Sequence, residues 1–225
     1  MVTAIIAAGG SGTRMGAGIN KVYLECDGTP IIARTISVFE KSDIIDEIIV
    51  VTGINDIEML KELVKKYNFK KVSAVTEGGS TRAESVYNGL MHANGEIVLI
   101  HDGARMLITV DEIEKVFNDC KEFGAAALGV KCKDTLKIND SGFIAGTLDR
   151  ETTYQIQTPQ VFYKDTIIKA HQNAKDNTAT DDCALAEQMG VKIKITDGSY
   201  DNIKITTPSD LAIAHEILKK RGEIQ

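Results

Sequence analysis

Residues 7 to 21 read Ala-Ala-Gly-Gly-Ser-Gly-Thr-Arg-Met-Gly-Ala-Gly-Ile-Asn-Lys, on the end of a short apolar run that begins at Val2. Gly9, Gly10 and Gly12 can take positive φ and let backbone N–H groups approach phosphate oxygens. Arg14 and Lys21 add charge that backbone dipoles cannot supply. The spacing excludes the two commonest glycine loops: a dinucleotide fingerprint starting at Gly10 needs glycine where Met15 stands, and no Gly-Lys-Ser/Thr closes a P-loop. A glycine-rich turn also serves as a plain strand-to-helix connection. The two cations favour a polyphosphate.

Outward from this loop, short β-branched runs alternate with helical patterns. Ile48 to Thr52, Val72 to Val75, Ile97 to Ile100 and Ala125 to Val130 read as buried strands. Helices are expected over Pro30 to Phe39, Ile57 to Tyr67 and Thr81 to Ala93, and after the capping box formed by Thr109 and Glu112. The alternation predicts an α/β fold whose mostly parallel sheet is covered on both faces, with ligands beyond the carboxyl ends of the strands. The glycine loop and His101 to Arg105 should then be neighbours.

The alternation breaks between about 131 and 160. Lys133 to Ile138 and Phe143 to Leu148 flank Asn139-Asp140-Ser141-Gly142, a hairpin signal with no helix between. A two-stranded hairpin is marginal alone, so it must pack on something, and a partner subunit is one candidate. Helical patterns resume at Lys164 to Ala174 and at Asp181 to Met189, which Gly190 stops. A strand over Val191 to Thr196 follows, and Thr207-Pro208-Ser209-Asp210 opens a last helix with Thr207 as cap.

Composition fits one domain with an appendage, since 225 residues at 43% hydrophobic content can bury a single substantial core. The net charge of -6 argues against general affinity for nucleic acid or an anionic membrane, so an anionic ligand must meet a local cluster of cations. Cys26, Cys120, Cys132 and Cys183 lie far apart with no Cys-x-x-Cys, and packed, reduced thiols are expected. The apolar start lacks a basic leader and no stretch reaches membrane-spanning length, so a cytoplasmic protein is expected.

Other segments carry two readings each. Gly78 to Ser85 places glycines and hydroxyls at a helix start, suited to a base or ribose, or to an ordinary capped turn. Asp102 and Arg105 follow an apolar strand, where they can contact ligand or simply pair with each other. His101 reads first as a packed, hydrogen-bonded side chain and second as a base. Asp149-Arg150 and Gln157-Thr158-Pro159-Gln160 alone are compatible with solvated charge and a loop. Asp201 to Pro208, including Lys204, combines polar groups with the cap of the last helix.

Together these segments closely resemble the cytidylyltransferases of the non-mevalonate isoprenoid pathway, which join CTP to 2-C-methyl-D-erythritol 4-phosphate. The resemblance runs from the glycine loop with Lys21-Val22-Tyr23-Leu24, through Gly78 to Ser85, His101 to Arg105, Lys133-Asp134-Thr135, Thr147 to Arg150 and Gln157 to Phe162, to Thr180-Asp181-Asp182 and Asn202 to Leu211. It implies a Rossmann-like, three-layer nucleotidyltransferase fold with a protruding β-hairpin arm at about 131–160, exchanged across a homodimer. It also implies that Ala7, Ala8, Gly9, Gly10, Gly12, Arg14 and Lys21 hold the CTP triphosphate, with Gly78, Gly79 and Ser85 at cytosine. Asp102 and Arg105 match the ribose and active-site segment. Arg105, Thr135, Arg150, Thr158 and Lys204 fall to the sugar-alcohol phosphate, and Arg14, Lys21 and Lys204 to catalysis. Three departures stand out: Asn20-Lys21-Val22 for the usual Pro-Lys-Gln, Gly103 for alanine and Met106 for proline. They leave the charged residues in place and bear on loop rigidity.

The chemistry agrees. A phosphate oxygen attacking the α-phosphorus of CTP needs positioning and charge neutralisation rather than a general base, because a phosphate monoester with a second pKa of about 6 is already largely dianionic. Mg²⁺ should bridge phosphate oxygens, with Asp102 orienting either the hydrated ion or the ribose. Two alternatives remain open at this point: ribitol 5-phosphate as acceptor, whose enzymes share the glycine loop, and a catalytically silent nucleotide-binding protein.

Overall fold

The structure is a computed structural model, and it describes residues 1–9, 20–174 and 179–224. Seven strands form one sheet in the order β11-β7-β10-β6-β1-β4-β5. They are β1 (Val2–Ala7), β4 (Glu47–Thr52), β5 (Val72–Glu77), β6 (Ile97–Asp102), β7 (Ala125–Lys131), β10 (Tyr154–Tyr163) and β11 (Lys194–Asp197). Two small hairpins lie outside it, β2 (Glu25–Cys26) with β3 (Thr29–Pro30), and β8 (Lys137–Asp140) with β9 (Phe143–Thr147).

Successive strand residues point to opposite faces, and both faces are covered. Ala4, Ile6, Ile48, Val50 and Leu99 pack with Ile36 and Phe39 of α1 (Ile31–Lys41), Leu60 of α2 (Ile57–Lys66) and Val116 of α4 (Val110–Phe123). Ile5, Ile49, Val51, Val98 and Ile100 face the other way. They meet Val86 and Leu90 of α3 (Arg82–His92), Ile167 of α5 (Lys164–Gln172) and Leu185 of α6 (Asp182–Gln188). This is the three-layer, mostly parallel arrangement expected. Met106, at the position usually proline, is buried in a third cluster with Ile205 and with Ala214 and Leu218 of α7 (Pro208–Lys220).

Local signals act where they were read. Thr109 and Glu112 form a complete capping box on α4, and Thr207 and Asp210 form another on α7 with Pro208 in its first turn. The β8–β9 turn places Ser141 at φ 51° and Gly142 at φ 90°, the left-handed pair that a two-residue hairpin requires. All four cysteines are free and buried.

One strand departs from expectation. β10 runs antiparallel to both β6 and β7, and its register against β7 shifts between Ile156 and Gln160. The excursion is therefore shorter than 131–160, because residues from Tyr154 onward belong to the main sheet. Gln157, Thr158 and Gln160 sit inside this strand at 6%, 4% and 1% exposure, so what reads as a polar loop is a buried segment with its polar groups satisfied.

Candidate active site

β1 lies between β4 and β6, so the chain leaves β1 toward one side of the sheet and later returns to its other side. Such a switch point opens a crevice beyond the carboxyl ends of the strands. Ala7 pairs with Asp102 in register, and the Gly103 N–H donates to the Ala7 carbonyl at 2.9 Å. The start of the glycine-rich segment, at Ala7, and the His101 to Arg105 segment are thus direct neighbours. Gly103 suits this approach, since an added Cβ would stand 3.1 Å from the Ala7 oxygen and 3.0 Å from Ile32 Cδ1.

A cleft of about 730 Å³ opens here, lined by Ala7, Gly9, Thr52, Asp56, Gly78, Gly79, Arg82 and Ser85 among others. The Gly78 N–H donates to the Thr52 carbonyl at 2.8 Å, and the Gly79 N–H to Ser85 Oγ at 3.0 Å. A side chain at Gly78 would meet Ser85 Oγ at 2.7 Å, and one at Gly79 would overlap Glu84 Cβ. Both glycines are needed for close backbone approach. Ala8, between Ala7 and Gly9, is fully buried and is not among the lining residues. Lys21 opens a short 3-10 turn, Lys21–Tyr23, that Asn20 caps through its side chain. Gly10, Gly12 and Arg14 lie outside the described residues.

Asp102, at the end of β6, gathers three cations. Its Oδ2 lies 2.8 Å from Lys204 Nζ and 3.6 Å from Arg105 Nε, and its Oδ1 lies 3.3 Å from Arg82 Nε. Burial alone would raise its pKa, but Arg82 and Lys204 more than offset that and hold the carboxyl well below its ordinary range. Arg82 reaches onward to the buried Asp182 at 2.7 Å, and His171 Nε2 meets the other oxygen of Asp182 at 3.2 Å. Arg105 also donates to the Asn202 carbonyl at 2.7 Å. A second hollow, about 260 Å³, is lined by Arg105, Gln157, Tyr200, Asn202 and Lys204 with four further residues.

His101 is fully buried behind this cluster. The Asp102 N–H donates to Thr158 Oγ at 3.1 Å, which leaves the Thr158 hydroxyl proton for His101 Nδ1 at 3.0 Å. His101 Nε2 then carries the ring proton toward the Arg105 carbonyl at 3.1 Å, a tautomer assigned from the network. Burial, above all, pushes the imidazole down to about 4. His101 is therefore a neutral structural group, the first of its two readings. Thr158 stands between it and Asp102, 4% exposed, where its hydroxyl holds the end of β6.

The depressed His101 pKa predicts acid sensitivity. An unfolded histidine titrates near 6.5, so between about pH 6.5 and 4 the unfolded chain binds a proton that the folded chain does not. This contribution to stability is fully present above pH 6.5 and is lost as pH falls. From pH 7 to 5 it amounts to about 2 kcal/mol. Urea unfolding of the native chain and of His101→Gln at both pH values checks this: the variant should have the shallower dependence, and equal slopes would count against it.

Thr135 and Arg150 are exposed at the foot of the β8–β9 hairpin, where the Leu148 N–H donates to the Leu136 carbonyl at 3.0 Å. Neither is among the residues lining the Lys204 hollow of its own chain. Arg82, Asp182 and Gln160 lie within segments that stand out in the sequence, but nothing local gives them a role. Arg82 and Asp182 meet across 100 positions, while Gln160 Oε1 accepts from the Asp182 and Cys183 N–H groups and so fixes the start of α6. His171 had no sequence signal.

A switch-point cleft with paired glycines, next to a carboxylate ringed by cations, suits a nucleotidyltransferase. A family model for 2-C-methyl-D-erythritol 4-phosphate cytidylyltransferase (IspD) matches residues 2–220. Proteins of that name from Alkaliphilus oremlandii and Clostridium acetobutylicum are 51% and 46% identical, over 97% and 99% of this chain and 95% and 99% of theirs. The crystal structure of 4-diphosphocytidyl-2C-methyl-D-erythritol synthase from Anaerococcus prevotii superimposes with a TM-score of 0.86 at 33% identity, covering 97% of this chain and 96% of that one. The chain belongs to the 2-C-methyl-D-erythritol 4-phosphate cytidylyltransferase family. Among the described residues, no helix is long and apolar enough to cross a membrane.

Proposed function

We propose that the chain transfers the cytidylyl group of CTP to 2-C-methyl-D-erythritol 4-phosphate, giving 4-diphosphocytidyl-2-C-methyl-D-erythritol and pyrophosphate in isoprenoid precursor synthesis. The observation that carries this is the cluster of Arg82, Arg105 and Lys204 on Asp102, next to both the nucleotide cleft and the second hollow. Condensing two polyanions requires cations at the junction. An acceptor phosphate oxygen forms a bond to the α-phosphorus, the bond from that phosphorus to the α,β-bridging oxygen breaks, and pyrophosphate leaves with the electron pair. The Lys204 side chain is 40% exposed, so it can exchange Asp102 for an incoming phosphate, while Lys21 neutralises the triphosphate. No proton has to be removed from the dianionic nucleophile. His101, sealed in and neutral, is not called on.

A divalent cation fits this site on one condition. Among the described residues no three acidic, His or Cys side chains converge to hold an ion, and Asp102 is the carboxylate at the junction. Mg²⁺ binds through one or two carboxylates together with substrate phosphates, so Asp102 with the CTP phosphates is a suitable donor set. The ion would neutralise charge on the triphosphate and its leaving group. Pyrophosphate release from CTP plus methylerythritol phosphate should be rapid with Mg²⁺ and abolished by EDTA. A chain that binds CTP and never releases pyrophosphate would be the silent binder.

The site is completed by a second copy. Support comes from the hairpin, which among the described residues pairs with no other strand and exposes Phe143 at 80% and Ile144 at 71%. Thr135 and Arg150 at its foot then serve the partner's sugar-phosphate hollow, and the whole chain is one domain plus this arm. Arg150→Ala should raise KM for the sugar phosphate about tenfold and leave that for CTP nearly unchanged, since the lost contact is to one substrate. Kinetics alongside sedimentation checks both halves: an active monomer, or a variant impaired chiefly for CTP, would refute the arrangement.

A further inference from the structure

Asn20 occupies the position where the family usually has proline, and its backbone, at φ -63° and ψ 126°, follows the path a proline would impose. Its side chain does more. The amide Nδ2 donates to the Ala8 carbonyl at 2.8 Å and reaches Asp56 Oδ2 at 3.4 Å, while Oδ1 accepts from the Val22 N–H at 3.4 Å. One planar group thus ties together the end of β1, the Gly53–Asp56 side of the nucleotide cleft and the turn that carries Lys21. The far end of that turn is pinned as well, with Tyr23 Oη 3.2 Å from Thr52 Oγ at the end of β4.

We propose that Asn20 is a positioning residue for Lys21: its amide joins the two ends of the glycine-rich segment and fixes the lysine's turn beside the cleft. The pairing of donor and acceptor in one side chain is what the geometry uses. Aspartate would turn an oxygen toward the Ala8 carbonyl and a second negative charge toward Asp56. Alanine would leave the turn uncapped and the Ala8 oxygen without this donor. On the reading that Lys21 serves the triphosphate, Asn20 acts through it.

The inference rests on the reading that Lys21 serves CTP, and CTP titration of the native chain tests that reading by itself, with no acceptor present. Given CTP binding, Asn20→Ala should weaken it about three- to tenfold, the size of one or two neutral hydrogen bonds. KM for the sugar phosphate should stay within about twofold, because the tether serves one substrate. A cycle with Lys21→Ala on kcat/KM for CTP is decisive. Where Lys21 is already absent, the Asn20→Ala loss should vanish. Unchanged CTP affinity in Asn20→Ala, equal impairment toward both substrates, or losses that multiply in the double variant would each overturn the proposal.

Discussion

Lys21→Ala lowers turnover of CTP by about 10² to 10³, the usual size for removing one group that stabilises charge in the transition state. The reasoning is electrostatic. The chain carries a net charge of -6, so the few cations placed at the cleft must counter a triphosphate and an incoming dianion together. Lys21 sits on a turn capped by Asn20, and truncating its side chain removes charge without removing the cap. His101→Gln is the control, since glutamine retains a donor and an acceptor in the space behind the site. If folded His101→Gln were as inactive as Lys21→Ala, the claim that no base is needed would fail.

Asp102→Asn should cost about 3 kcal/mol of stability. Removing one partner of a buried ion network strands the others, and the figure is set at the lower end because Lys204 is 40% exposed. Arg82 and Arg105 are the groups most affected, at 27% and 13% side-chain exposure. The uncompensated cations should also make the variant unusually responsive to anions, with inorganic phosphate raising its melting temperature more than that of the native chain. In the native chain, the Asp102 contribution is complete above the ordinary carboxylate range and is lost progressively as pH falls from there toward its depressed folded value. A variant that melts with the native chain and ignores phosphate would show that the three contacts carry no weight.

What the sequence revealed about these sites follows from how local the signals are. The strands flanking the cleft, the caps at Thr109 and Thr207 and the hairpin at Ser141-Gly142 are written in short windows, where apolar period and turn chemistry decide the outcome. β10 was not legible as a strand, because Gln157, Thr158, Pro159 and Gln160 have the composition of a loop. They are tolerated inside the sheet only because partners far away satisfy them: Ser199 for Gln157, His101 and Asp102 for Thr158, Asp181 and α6 for Gln160. The same limit applies to the site. Asp102 and Lys204 could each be picked out, yet their contact spans 102 positions and no local pattern encodes it. Arg82 was hidden more thoroughly, since its neighbours Thr81 and Glu84 already explain the segment as the capped start of α3.

The central claim is that cations at the junction of two clefts condense CTP with methylerythritol phosphate. A competition assay tests it most directly: limiting enzyme, Mg²⁺ and CTP, with equal concentrations of 2-C-methyl-D-erythritol 4-phosphate and ribitol 5-phosphate, and products resolved by mass. The account predicts that 4-diphosphocytidyl-2-C-methyl-D-erythritol dominates, with pyrophosphate formed in equal amount. Equal or greater formation of the CDP-ribitol product, or CTP bound without pyrophosphate release, would contradict it.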